Sequence, residues 1–340
     1  MKLQRILLAL CLTAGCVNFL PISAQQKQSD ETIKVQATLV NVPVIVSDRQ
    51  GRYISNLKIG DFKLYQDRVE QPISFFDAAE EPINVALLLD TSRSTIGVLD
   101  DIKKDAANFL KELRPQDRAM IVSFDYDVHV LTTLTSDRKR LERAVKDADI
   151  GEQFGTTLRD AVNTVFERHF KKVDGRKAII LLTDGKDAGS RISEEDLLDE
   201  AAESGSMIYS VFFKTGPLNG NRPFGRRRRD GWGGRFPFPP RREERRRQRV
   251  DMKNEDAAAF LTKLAEVSAG RFHSSEVSDL KNTFKLIADE LRHQYRLGFY
   301  PDNTKADGQR HSLRVEVRIA DAVVRARRSY QAPSPVNGGS

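Results

Sequence analysis

The stretch Val85-Ala86-Leu87-Leu88-Leu89-Asp90-Thr91-Ser92-Arg93-Ser94 decides how this chain is read. Five apolar residues without polar alternation are the signature of a strand buried on both faces, as in a parallel sheet. Three more such runs follow: Met120 to Phe124, Ala178 to Leu182 and Met207 to Phe213. Between them lie apolar stripes at three- and four-residue spacing. One is Val98, Ile102, Ala106, Phe109 and Leu113, another Leu158, Ala161, Val165 and Phe166, a third Val277, Leu280, Phe284, Ile287 and Leu291. This alternation predicts an α/β domain over residues 82–292, with a doubly wound, mostly parallel sheet.

On either side the hydrophobic period becomes two. Ile33, Val35, Ala37 and Leu39, then Val40, Val42, Val44 and Val46, and later Leu313, Val315, Val317 and Ile319 read as antiparallel strands. The phase slip at Leu39-Val40 and Pro43 predict a bulge or an edge strand. Segments 31–79 and 293–330 are each too short to fold alone, so they are expected to form one small β-sandwich into which the α/β domain is inserted. Two separate β appendages are the alternative. Residues 331–340, rich in Pro, Ser and Gly, read as a disordered tail.

Residues 1–24 have the parts of an export signal: Lys2 and Arg5, an apolar stretch from Ile6 to Leu20, and Ile22-Ser23-Ala24 as a small-residue cleavage site. Leu12-Thr13-Ala14-Gly15-Cys16 also resembles a bacterial lipobox, which would make Cys16 an acylated N-terminus. The expected location is therefore periplasmic or secreted, either free or lipid-anchored at Cys16. Both cysteines, Cys11 and Cys16, lie in this segment, so cleavage after Ala24 leaves no thiol for a disulfide, a zinc-thiolate site or a nucleophile.

The whole 340-residue chain carries +7. Residues 214–249 alone hold 13 basic and 3 acidic side chains, so the rest of the mature chain is acidic. Segment 216–250, with Arg226 to Arg229 and Arg241 to Arg249 amid Gly and Pro, has few aliphatics and reads as a disordered loop. Arg226 to Arg249, with Trp232, Phe236 and Phe238 between the clusters, is a candidate contact for an anionic membrane surface. Export disfavours nucleic acid as its partner.

Asp90 to Ser94 follow a strand directly, and an isolated D-x-S-x-S arises by chance in roughly one chain in ten of this length. Position carries more weight: ligands of open α/β sheets bind beyond the carboxyl ends of the strands. Asp184, in Thr183-Asp184-Gly185, occupies the matching place after Ala178 to Leu182, and Gly155-Thr156-Thr157 opens the helix at Leu158. Carboxylates and hydroxyls without Cys or paired His suit a hard divalent cation, Mg²⁺ above all, with Mn²⁺ or Ca²⁺ open. Caps without a metal are the plain alternative for any one of these residues.

DTSRS after a hydrophobic strand, GT before a helix and LLTDG at a later strand end resemble the metal-ion-dependent adhesion site of von Willebrand factor type A domains. The flanks "VNVPVIVSDRQGRYISNLKIGDFKLYQD", "YRLGFYPDN", "HSLRVEVRI" and "VRARRSY" resemble VWFA-related proteins of acidobacterial type. The resemblance implies that Ser92, Ser94 and Thr156 ligate the metal, with Asp90 and Asp184 acting directly or through water. Phe154 departs from the glycine common at that place, which leaves Thr157 as the alternative threonine.

A cation held mainly by neutral hydroxyls keeps a position for an acidic side chain of a protein partner. The expected function is therefore metal-bridged protein binding, with no small-molecule substrate. An aspartyl-phosphate phosphatase needs a second Asp where Ser92 stands, and no G-x-x-x-x-G-K-[ST], H-E-x-x-H or G-x-S-x-G occurs. The five histidines show no ligand spacing, so an enzyme is not expected. The alternative class is a structural or assembly subunit of the cell envelope whose Arg-rich loop contacts anionic surfaces.

Overall fold

The computed structural model describes residues 39–214, 241–301 and 307–332. The export segment 1–24 with Cys16, the strand pattern before Leu39, Arg226 to Arg229, Trp232, Phe236 and Phe238, and residues 333–340 lie outside the described residues. Among the described residues no helix is long and apolar enough to cross a membrane.

The chain begins with β1 (Val40–Ser47), β2 (Phe62–Gln66), β3 (Val69–Gln71) and β4 (Phe75–Asp77). The α/β region follows: β5 (Ile83–Asp90), α1 (Leu99–Glu112), β6 (Arg118–Phe124), β7 (Val128–Thr135), α2 (Arg138–Lys146) and α3 (Leu158–Thr164). It continues with β8 (Arg176–Thr183), α4 (Glu194–Glu203), β9 (Met207–Phe213), α5 (Arg241–Val267), β10 (Arg271–Ser275) and α6 (Leu280–Leu291). The chain closes with β11 (Gln294–Phe299), β12 (Arg310–Val317), β13 (Val323–Ala326) and β14 (Ser329–Gln331).

The central sheet has the order β10-β9-β8-β5-β6-β7, parallel except for β7. Every residue of β5, β8 and β9 is buried, which is why their runs lack alternation. The pleat nevertheless sorts them: Val85, Leu87 and Leu89 face α1, α2 and α6, whereas Ala86 and Leu88 face α3, α4 and α5. From β5 the chain runs to β6 on one side and then returns to β8 on the other. The end of β5 is therefore the place where strand order reverses, and Asp90 occupies it.

Two four-stranded antiparallel sheets, β13-β1-β11-β4 and β14-β12-β2-β3, come from both ends of the chain. They share a core of Val42, Val44, Leu64, Tyr295, Leu297, Phe299, Leu313 and Tyr330. Ile45 on the opposite face of β1 packs into the α/β core.

Contrary to the edge-strand expectation, β1 is interior to its sheet. Pro43 is accommodated because it pairs with β11 while the ladder to β13 starts only at Val44. The loop expectation for 216–250 also overshoots: residues 241–250 form the first turns of α5. The run Arg-Arg-Glu-Glu-Arg-Arg-Arg-Gln-Arg consists of straight-chain residues of high helix propensity, which outweighs its lack of apolar content.

Two arginines of the α/β region hold both chain crossings into the sandwich. Arg114 donates to the carbonyls of Ala79 (3.2 Å) and Glu80 (3.1 Å) before β5, and to that of Arg292 (3.1 Å) after α6. Arg176 donates to Leu291 (3.1 Å) and Gln294 (2.6 Å), and to the carbonyl of Glu81. Burial, and then the charge of Arg114, push the Arg176 guanidinium down to about 10. At about 10 it still lies well above neutral pH, so the guanidinium stays charged there.

Candidate metal centre

Asp90 ends β5 with its side chain fully enclosed. One carboxylate oxygen accepts the Ser92 amide (3.0 Å) and the Ser92 hydroxyl (2.5 Å), and the other accepts the Thr183 hydroxyl (2.7 Å) from the end of β8. Ser92 and Ser94 hydroxyl oxygens are 3.0 Å apart. Thr95 closes the turn by donating to the carbonyls of Asp90 (3.1 Å) and Ser92 (2.8 Å). The D-x-S-x-S-T sequence thus folds back on its own backbone, which brings Asp90, Ser92 and Ser94 into one hydrogen-bonded group.

Asp184 is also buried and receives the Lys186 amide (3.3 Å) and the Lys186 ammonium. Burial, and then the neighbouring charge of Asp184, push the Asp90 carboxyl up to about 6. Gly185 makes this turn at φ +79°, and a Cβ there would approach Ala257 to 2.7 Å, so the residue is needed on two grounds.

Thr156 is buried on the loop before α3. Its carbonyl accepts the amides of Ala188 (3.1 Å) and Gly189 (3.0 Å), which ties it to the loop that follows Asp184. The Thr157 amide and hydroxyl are both directed at the carbonyl of Asp125, at 2.8 and 3.1 Å. Thr157 is thereby committed to the backbone at the end of β6.

Among the described residues no group of three or more His, Cys, Asp or Glu is placed to hold a metal. The candidate set has two carboxylates and three hydroxyls, so its donor chemistry fits a hard cation that retains water and does not fit a thiolate or imidazole metal.

Sequence reasoning passed over Asp125, which directly follows a buried apolar run just as Asp90 does. It is buried, lies 3.5 Å from the Thr91 hydroxyl and 3.3 Å from His129, and anchors Thr157 through its carbonyl. Beside it opens a pocket of about 360 Å³.

The family model described as von Willebrand factor type A domain matches residues 84–222. No curated protein matches the chain. Among solved structures, the chain is similar to the conserved hypothetical protein BatB from Bacteroides thetaiotaomicron, at 21% identity over 62% of this chain and 97% of that one, with TM-score 0.44. It is similar to a von Willebrand factor type A protein from Catenulispora acidiphila at 13% identity, over 80% and 72% of the two chains, with TM-score 0.45. A third is proximal thread matrix protein 1 from the mussel byssus with a zinc-occupied MIDAS motif, at 15% identity over 64% and 47%, with TM-score 0.47.

Proposed function

Since the von Willebrand factor type A family model matches residues 84–222, we propose that the chain binds a protein partner through a divalent cation, Mg²⁺ or a similar hard ion, held at the end of β5. Ser92, Ser94 and Thr156 supply neutral hydroxyl ligands, and Asp90 and Asp184 supply the charge. Thr183 and the Ser92 amide hold Asp90 in one orientation, so ligation demands little further ordering. The bound cation offers the partner's carboxylate a Lewis-acidic position. The chain performs no catalysis on this reading, and its export-type N-terminus places the encounter outside the cytoplasm.

The observation that carries this reading is the hydrogen-bonded group Asp90, Ser92 and Ser94 at the point where strand order reverses, joined to β8 by Thr183. A thermal melt with Mg²⁺ tests it. A hundredfold excess over Kd stabilises by about 2.7 kcal/mol, and Asp90→Ala is expected to abolish that gain. Capture of envelope proteins by the wild type is expected to vanish with chelator and with Asp90→Ala. Capture unchanged by both overturns the reading.

One observation favours a second reading. The Lys186 ammonium already pairs with Asp184, which would serve a structural envelope subunit whose site needs no partner. No response of the melt to Mg²⁺ would favour it.

A further inference from the structure

Three large apolar side chains stand in solvent around the candidate metal centre: Phe154 is 79% exposed, Ile96 50% and Tyr126 47%. Ile96 directly follows the turn that holds Ser92 and Ser94, and Phe154 precedes Thr156 by two positions. The Phe154 ring is held from one side by Arg93, whose guanidinium carbon lies 4.4 Å from the ring centre and whose Nη1 donates to the Glu152 carbonyl at 3.2 Å. Tyr126 lies against Gly155, where a Cβ would come within 2.9 Å of the tyrosine ring. The aromatic rim is therefore propped in place by its neighbours, and no helix or strand of the described residues covers it.

The pocket of about 360 Å³ beside this rim is lined by Asp125, Asp127, Asp147, Asp149 and Glu152. His129 stands 3.3 Å from Asp125 and the Lys103 ammonium 3.6 Å from Asp149, so two of the five carboxylates have a basic neighbour at hand. The pocket opens next to the loops that carry the candidate ligands, because the Gly151 amide in its wall donates to the Thr91 carbonyl at 3.0 Å. A wet aromatic edge and an acidic recess thus flank one place where a partner's carboxylate is to be held.

We propose, resting on the metal-bridged reading above, that this surface selects a protein segment in which the metal-binding Asp or Glu is flanked by an apolar residue and by a Lys or Arg. The apolar residue covers Phe154, Tyr126 and Ile96, and the basic one enters the recess of Asp125 to Glu152. Charge complementarity fixes the second half of this specificity: an acidic flanking residue is repelled by the recess, while the metal accepts its carboxylate only at the central position. Apolar contact with an exposed aromatic rim supplies the first half.

The test is selection of a random display-peptide library on the immobilised full chain in Mg²⁺. Enriched sequences are expected to carry Asp or Glu beside an apolar residue and a Lys or Arg, and to bind roughly tenfold more tightly than versions with Ser at the flanks. Phe154→Ser, at a position open enough to spare the fold, is expected to remove the apolar preference. Asp127→Asn with Asp149→Asn, which leaves three of the five carboxylates, is expected to weaken the basic one. Chelator-sensitive enrichment of acidic peptides without either flank preference overturns this proposal and leaves the metal-bridged reading standing. Absence of any chelator-sensitive enrichment overturns both. A concentration-dependent dimer lost with Phe154→Ser would show that a second copy of the chain covers the rim, and would also overturn the proposal.

Discussion

The Thr183 hydroxyl at the end of β8 donates a 2.7 Å hydrogen bond to the carboxylate of Asp90 at the end of β5. The same hydroxyl oxygen accepts the Gly185 amide at 2.9 Å, so one side chain sets both the turn carrying Asp184 and the orientation of Asp90. Thr183→Val preserves shape and removes both bonds inside a closed site. The expected loss is about 1–3 kcal/mol of stability in urea denaturation, together with weaker Mg²⁺ stabilisation. Thr183→Ser is expected to keep most of both. Equal losses in the two variants would mean that the methyl group matters as much as the hydroxyl, and no loss in Thr183→Val would mean that the hydroxyl bonds contribute nothing.

Lys186 competes for Asp184 with any cation bound there. Its side chain is 52% exposed while that of Asp184 is 2% exposed, so the ammonium can swing into water. Lys186→Met is expected to tighten Mn²⁺ binding about fivefold in calorimetric titration and, because it strips the buried Asp184 carboxylate of that ammonium, to lower metal-free stability by about 1–3 kcal/mol. Weaker Mn²⁺ binding would show that Lys186 orients Asp184 for the site.

Arg176 is the buried member of the pair that joins the two modules, with three carbonyls depending on it. Arg176→Met fills similar space but leaves those carbonyls unpaired, and is expected to lower stability by about 3–5 kcal/mol in denaturant titration. Because Arg114 serves the same two crossings, the double variant Arg114→Ala with Arg176→Met is expected to cost less or more than the sum of its parts by at least about 0.5 kcal/mol. Strict additivity would mean that the crossings are held independently.

These arginine links show where sequence reading stops. The four buried strands are legible because burial on both faces forces unbroken apolar runs. β7 escapes that signal: as an exposed edge strand it keeps His129, Thr132 and Thr133 within its apolar residues. Asp90, Asp184 and the hydroxyl residues are legible because backbone connectivity alone places them at strand ends. The partners of Arg114 and Arg176 are backbone carbonyls up to 178 residues away, and carbonyls leave no trace in side-chain identity. Pro43 misleads for a related reason, since a proline marks only the side of a strand that goes unpaired, not the strand's place in the sheet.

A pH effect is expected far from the metal centre, between Glu200 on α4 and Glu167 on the turn that extends α3. Burial first, and then the hydrogen bond and charge of Glu167, push Glu200 up to about 7, against the pull of Lys171. The folded state thus holds a proton that the unfolded chain releases near pH 4.5. Its contribution to stability is full below that pH and is lost as pH rises through about 7. Glu200→Gln imitates the protonated form at every pH, so it is expected to match the wild type at pH 4 and to exceed it by about 1 kcal/mol at pH 8, discounted for partial exposure. Denaturant titrations of both proteins across that range check the sign: a Gln variant less stable than wild type at pH 8 would show that ionised Glu200 holds a partner worth more than the proton it gives up.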